Sequence, residues 1–233
     1  MKEYQLLLFD LDDTLLSSDW FKEGIMQTIQ SNSLTRHVDP AMFLEKKLML
    51  PKPLITQFKN RELSPHEFRR ARWKHALSHF ELFPDEDAID ELHGLFLQSG
   101  MSFIKENEDL TCLLQDLQKH YQLAIVTNAL YDPLLKISNL KLAHLFTKDN
   151  VFQAEELDYR KPDPELYWAA LNHFQAQPEQ AVFIGDSWTH DVVGPMELGM
   201  EAIWVNHQNV PPPSSHKPLE EITKIMELRS ILL

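Results

Sequence analysis

Gln5-Leu6-Leu7-Leu8-Phe9-Asp10-Leu11-Asp12-Asp13-Thr14 joins an apolar run to a cluster of acids. The run is too short for a core helix and suits a strand buried on both faces. Asp10 then stands at the carboxyl end of that strand, the edge at which open α/β sheets bind ligands because the loops diverge there. Asp10 and Asp12, on alternate residues with Thr14 two further on, crowd carboxylates onto a rigid support. Such a pair repels, so it needs a cation or a proton. A hard cation such as Mg²⁺ takes a few oxygen ligands and leaves its other positions to water or phosphate oxygens. Taken alone, the same acids also suit a turn after a strand.

Three later segments repeat the arrangement. Leu123-Ala124-Ile125-Val126 is another short apolar run, followed by Thr127 and Asn128, a hydroxyl and an amide that suit phosphate oxygens or an ordinary polar turn. Lys161 precedes Pro162-Asp163-Pro164 and a helical pattern from Glu165 to Phe174, where Asp163 or its neighbours are expected to cap and where a lysine brings an ammonium to a helix entry. Ala181-Val182-Phe183-Ile184 runs into Gly185-Asp186-Ser187-Trp188-Thr189-His190-Asp191. Glycine permits close backbone approach there, and the two acids converge if the loop curls. The alternative for Asp191 is a cap on the helix near Val192.

In that order the four segments resemble the signature motifs of the haloacid dehalogenase superfamily, in its phosphatase branch, over residues 5 to about 206. The resemblance implies an aspartyl-phosphate mechanism with Asp10 as nucleophile and Asp12 as general acid/base. It implies Thr127 and Lys161 as phosphate ligands, beside which Asn128 is expected to bind substrate through its amide, and Mg²⁺ held by Asp10, Asp12 through its backbone carbonyl, and Asp186. Asp191 resembles the second acid of the last motif. His190 departs from the polar residue many relatives carry before that acid. The family's dehalogenases lack the second acid of the first motif, so Asp12 speaks against carbon–halogen cleavage.

Length and composition bound the reading. With 233 residues and 43% hydrophobic content the chain can bury a substantial core. A formal charge of −13 opposes a nucleic-acid surface, which needs dense Lys and Arg, but not a small phosphate monoester held by a local cation. No apolar run approaches membrane-span length, so no membrane partner is expected. Met1-Lys2-Glu3-Tyr4-Gln5 does not read as a secretory signal. The single cysteine, Cys112, forms no internal disulfide and reads as a small buried side chain in a cytoplasmic protein. The eleven histidines include no zinc pattern. Oligomeric state is not readable.

About 110 residues separate the first two motifs, and their pattern is helical over 20–29, 41–48, 65–79, 85–99 and 111–120. Residues 17–103 are expected to form an inserted α-helical cap domain, with 1–16 and 104–233 as the core; the resemblance implies a cap that closes over the site. The remainder alternates: strand 122–127, helix 131–140, strand 150–152, helix 164–174, strand 181–185, helix 191–198, strand 201–205, then an edge strand near 221–223 and a closing helix. That alternation predicts an α/β fold with a doubly wound parallel sheet. By resemblance the first strand lies between the second and fourth.

Substrate identity is less legible. Arg69-Arg70-Ala71-Arg72-Trp73-Lys74-His75 reads either as an anion or base contact or as a basic helix surface with Trp73 turned inward. Trp20 and Phe21 suit contact with a leaving group or packing. Several motifs look similar to the bacterial 5'-nucleotidase group. The expectation is a Mg²⁺-dependent phosphomonoesterase acting on a small metabolite, such as a nucleoside 5'-monophosphate. Its alternatives are a phosphoglycolate or sugar-phosphate phosphatase, a phosphosugar mutase, and a phospho-accepting or ligand-sensing domain.

Overall fold

Leu6, Leu7, Leu8 and Phe9 form strand β1 (Leu6–Phe9), and all four are fully buried. Burying such side chains contributes about 1.5–3 kcal/mol each, which is why an unbroken apolar run occupies a strand covered on both faces. β2 (Gln122–Thr127), β3 (Val151–Gln153), β4 (Ala181–Gly185), β5 (Glu201–Val205) and β6 (Glu220–Ile222) complete a six-stranded sheet in the order β3-β2-β1-β4-β5-β6. Every neighbouring pair is parallel. The fold is α/β with a doubly wound sheet, and winding reverses beside β1, where such sheets leave a ligand crevice. The computed structural model describes residues 4–233, so the reading of Met1-Lys2-Glu3 as part of a non-secretory start lies outside the described residues. The chain divides into two compact units: one runs to Ser17 and resumes over Lys105–Leu233, and the other is Ser18–Ile104.

The Ser18–Ile104 unit carries α1 (Asp19–Ser31), α2 (Pro40–Leu48), α3 (Lys52–Lys59), α4 (Pro65–Ser78) and α5 (Glu86–Phe103). Caps set several starts. Asp39 accepts from the N–H of Met42 at 2.8 Å, Asp85 from that of Ala88 at 2.9 Å, and Ser64 with Glu67 forms a reciprocal capping box. α3 escapes the sequence reading because Pro51 and Pro53 look like breakers; both lie at the helix start, where proline is tolerated. α1 packs on α5 so closely that a Cβ on Gly24 would lie 2.6 Å from Gly100 Cα. Trp20 covers Gly100 and stands 5.7 Å from the ring of Phe96, so it takes part in this unit's packing. Trp73 is also buried.

The sheet unit adds α6 (Glu108–Gln118), α7 (Pro133–Asn139), α8 (Ala154–Leu157), α9 (Pro164–His173), α10 (Gly194–Glu197) and α11 (Leu228–Leu232). Leu166, Tyr167, Ala170 and Leu171 of α9 share a core with Leu6 and Leu8 of β1 and Ala181 and Phe183 of β4. Two local expectations are corrected. Cys112 is exposed on α6. Asp163 precedes α9 but makes no side-chain cap; its carboxylate accepts instead from the Arg160 N–H at 3.2 Å. Among the described residues no helix is long and apolar enough to cross a membrane.

Candidate active site

Parallel register puts the strand ends level. Phe9 pairs with Ile125 of β2 and Ile184 of β4, so Asp10 leaves β1 beside the points where Thr127 and Gly185-Asp186 end their strands. The Asp10 N–H donates to the Ile184 carbonyl at 2.9 Å, which fixes its backbone. Lys161, just before α9, donates from Nζ to Asp10 Oδ1 and to Asp191 Oδ1, each at 2.7 Å. The lysine and Asp191 side chains are at most 2% exposed and that of Asp10 11%, so these charges meet largely out of water.

Asp191 reaches this position because the segment after β4 curls. Trp188–Val193 forms a π-helical turn, a feature frequent at functional sites. The Asp191 N–H donates to the Ser187 carbonyl at 2.7 Å, and the Ser187 N–H returns a bond to Asp191 Oδ2 at 2.9 Å. Gly185 is required by this curl, since a Cβ there would lie 2.4 Å from Asp191 Cγ. The Tyr167 hydroxyl donates to the His190 carbonyl and steadies the turn from α9. Trp204 Nε1–H donates to the Asp186 carbonyl at 2.8 Å, while Thr14 Oγ1 stands 3.4 Å from Asp186 Oδ1.

Asp10, Asp186 and Asp191 each present an oxygen within 4.8 Å of the others. Burial pushes the Asp10 carboxyl up to about 8, with Lys161 pulling against it and Asp191 adding to it. Burial, then Asp191 and Asp13, push Asp186 up to about 6. Burial disfavours the Lys161 ammonium, yet Asp10 and Asp191 outweigh it and hold the group above the ordinary lysine range. When ionised, three carboxylates facing one ammonium leave two negative charges uncompensated, and all the donors are hard oxygens. That set fits a divalent cation of the Mg²⁺ type.

Other candidate residues are placed differently. The Asp12 carboxylate lies outside the acidic cluster and accepts from Lys136 Nζ through both oxygens, each at 2.7 Å. Lys136, on α7 and 1% exposed, is absent from the sequence reading; its trace there is a lone cation amid Leu134, Leu135 and Ile137. Thr127 is buried, and its hydroxyl oxygen accepts from the Ala129 N–H at 3.1 Å, so its own proton remains for another acceptor. Asn128, expected to offer its amide to phosphate, uses both ends of that amide on the Lys161 backbone instead. Nδ2 donates to the Lys161 carbonyl at 2.8 Å and Oδ1 accepts from its N–H at 2.9 Å. Asn128 thereby positions the lysine.

The chain and its fold have counterparts among known proteins. The family model described as haloacid dehalogenase-like hydrolase matches residues 4–195. The HAD-hydrolase YfnB of Bacillus subtilis is 27% identical over 236 residues, covering 100% of this chain and 97% of its own. Its magnesium-bound crystal structure superposes with a TM-score of 0.78 at 24% identity, covering 99% of each chain. Pyrimidine 5'-nucleotidase PynA of Streptococcus pneumoniae is 25% identical over 233 residues, covering 98% of this chain and 95% of its own. A 2-haloacid dehalogenase of Pseudomonas syringae gives a TM-score of 0.69 at 25% identity, covering 98% of each chain.

Proposed function

Because the chain belongs to the haloacid dehalogenase-like hydrolases, we propose that it is a phosphomonoesterase acting on a small phosphorylated metabolite, with nucleoside 5'-monophosphates as the substrate class. The observation that carries this reading is the separate environment of two acids two residues apart. Asp10 faces Lys161 and the acidic cluster, while Asp12 turns to its own cation, Lys136. Cleaving a carbon–halogen bond gives a halide, which needs no proton; an alkoxide leaving phosphorus does. The likeness to PynA supports the nucleotide class, and that to the dehalogenase is one of fold.

In this mechanism an Asp10 oxygen attacks phosphorus, the ester P–O bond breaks, and the leaving alkoxide takes a proton from Asp12. Water then attacks the aspartyl phosphate, Asp12 receives the water proton, and the bond from Asp10 to phosphorus breaks. Lys161 orients Asp10 and presents positive charge toward phosphate oxygens, held in place by Asp191 and Asn128. Thr127 supplies a hydroxyl proton to the same oxygens. Asp10 and Asp186, with the Asp12 carbonyl, would hold Mg²⁺, which would supply charge neutralisation for phosphoryl transfer. The helical unit is the inserted domain of this reading, and a cytoplasmic location belongs to the same reading, with the single thiol as its support.

The test is phosphate release from nucleoside 5'-monophosphates and from a chromogenic aryl phosphate, with Mg²⁺ or with chelator. Turnover should require the metal and vanish in Asp10→Asn. Activity that survives either change would falsify the mechanism.

A further inference from the structure

The cations of α4 divide between two faces. Arg70 and Lys74, four residues apart, both reach acids of α5. Arg70 pairs with Glu86 and Asp90, its Nε donating to Asp90 Oδ1 at 2.8 Å, and Lys74 Nζ donates to Glu86 Oε1 at 2.7 Å. Arg72 points elsewhere. Its guanidinium stands 5.6 Å from the Phe21 ring and 5.8 Å from the Phe68 ring, and its buried Nε meets no hydrogen-bond acceptor among the described residues.

Lys47 of α2 is 1% exposed, with Nζ 3.7 Å from the centroid of the Trp73 ring. Among the described residues this ammonium makes no ion pair or hydrogen bond; its partner is the indole face. Burial and then the charge of Arg72 depress it well below the ordinary lysine range, which marks the two cations as neighbours. Trp73 donates from Nε1 to His93 Nδ1 at 3.4 Å. Burial, Arg69 and Lys47 push His93 down to about 4, so the imidazole is neutral.

A buried lysine beside a half-buried arginine, with no carboxylate bonded to either among the described residues, is costly. Acids are plentiful in a chain of formal charge −13, yet Glu86 and Asp90 of α5 are committed to Arg70 and Lys74. A guanidinium fork and an ammonium together match the oxygens of a phosphate or carboxylate. The aromatic rings beside them suit the ring or hydrocarbon body that carries such a group.

We propose that Lys47 and Arg72, with Trp73, Phe21 and Phe68, form an oxyanion site within the helical unit that takes the phosphate or carboxylate group of a small metabolite. This goes beyond the phosphatase reading and does not depend on Asp10.

The five indole N–H resonances of the labelled full chain provide the test. Trp73 reports the proposed site, and Trp204, bonded to the Asp186 carbonyl, reports the sheet unit; Trp73→Phe and Trp204→Phe assign them. Inorganic phosphate or malonate at millimolar concentration should move the Trp73 signal, and whichever anion acts names the preferred group. Lys47→Met should abolish that movement while the Trp73 signal stays sharp and at its dispersed position, which shows the helical unit of the variant folded. Arg72→Gln, at a half-buried position, should require about tenfold more anion for the same response. A Trp73 signal that neither anion moves, or that moves equally in Lys47→Met, overturns the proposal. Movement of Trp73 with a silent Trp204 leaves it standing and counts against the phosphatase reading alone.

Discussion

Lys136 donates to both carboxylate oxygens of Asp12, at 2.7 Å each, across 124 positions of sequence. The two ends of this pair are unequal. The Asp12 side chain is 35% exposed and that of Lys136 only 1%. Removing the acid takes the carboxylate from a buried ammonium, whereas removing the lysine leaves a carboxylate that water reaches.

Asp12→Ala should therefore lower stability by on the order of 1–3 kcal/mol, and Lys136→Met by less than about 1 kcal/mol. Thermal melts should separate the variants by a few degrees, since about 1 kcal/mol corresponds to roughly 2–4 °C in a chain of this size. Turnover should fall about 10²–10⁴-fold in Asp12→Ala and by a smaller factor in Lys136→Met, where the acid persists but is no longer positioned. Asp12→Ala should still bind Mg²⁺ more tightly than Asp186→Ala. Equal melting losses in Asp12→Ala and Lys136→Met would contradict the asymmetry.

Metal binding should expel a proton. With Asp10 at about 8 and Asp186 at about 6 in the metal-free protein, Asp10 is mostly protonated at pH 7 and Asp186 mostly ionised. A divalent cation needs both ionised, so Mg²⁺ binding at pH 7 should release about one proton per chain, which calorimetry in buffers of different ionisation heat measures. The same shift sets a pH window for chelated protein. Between the ordinary value of 3.8 and about 8 the folded chain keeps the Asp10 proton that the unfolded chain has lost, so this group's contribution to stability declines as pH rises through that window. The unfolding free energy of chelated wild type relative to Asp10→Asn should decline likewise. A flat difference, or binding without proton release, excludes the assigned environment.

Much of this arrangement is legible in the sequence because short apolar runs ending in Asp10, Thr127 and Gly185-Asp186 are too short for core helices and suit buried strands. Parallel register then brings their ends together. Lys136 is not legible, because a lysine on a short helix reads as solvated until the tertiary fold buries it. Asn128 shows the same limit: its amide suits phosphate by type, and only the position of the Lys161 backbone shows where its bonds go. α3 is hidden by prolines whose effect depends on which turn they occupy.

Gly185→Ala should disable the site without replacing a charged group. The added methyl would lie 2.4 Å from Asp191 Cγ, so the acid must move, and with it the bond that holds Lys161 from that side. Overpacking of this kind costs about 1–3 kcal/mol. Mg²⁺ affinity and turnover should fall together while the circular-dichroism spectrum persists. Wild-type kinetics in this variant would show that the close approach of Gly185 and Asp191 is unimportant.

His93 provides a second pH window, of opposite sign and in the helical unit. Burial first, then Arg69 and Lys47, push it from 6.5 down to about 4. Between those values the unfolded chain binds a proton that the folded chain refuses, so stability climbs with pH from about 4 to 6.5 and levels off above. The full shift corresponds to about 3 kcal/mol, and solvent screening at a half-buried ring reduces this to on the order of 1–2 kcal/mol. His93→Gln keeps an acceptor for the Trp73 N–H but cannot titrate, so urea unfolding of wild type relative to this variant should show the slope across that window and none above it. An anion bound beside Lys47 offsets part of the positive potential and lets His93 take its proton at higher pH. Millimolar phosphate should therefore flatten the slope in wild type and leave it unchanged in Lys47→Met, a difference that simple ionic screening, acting on both proteins alike, does not produce.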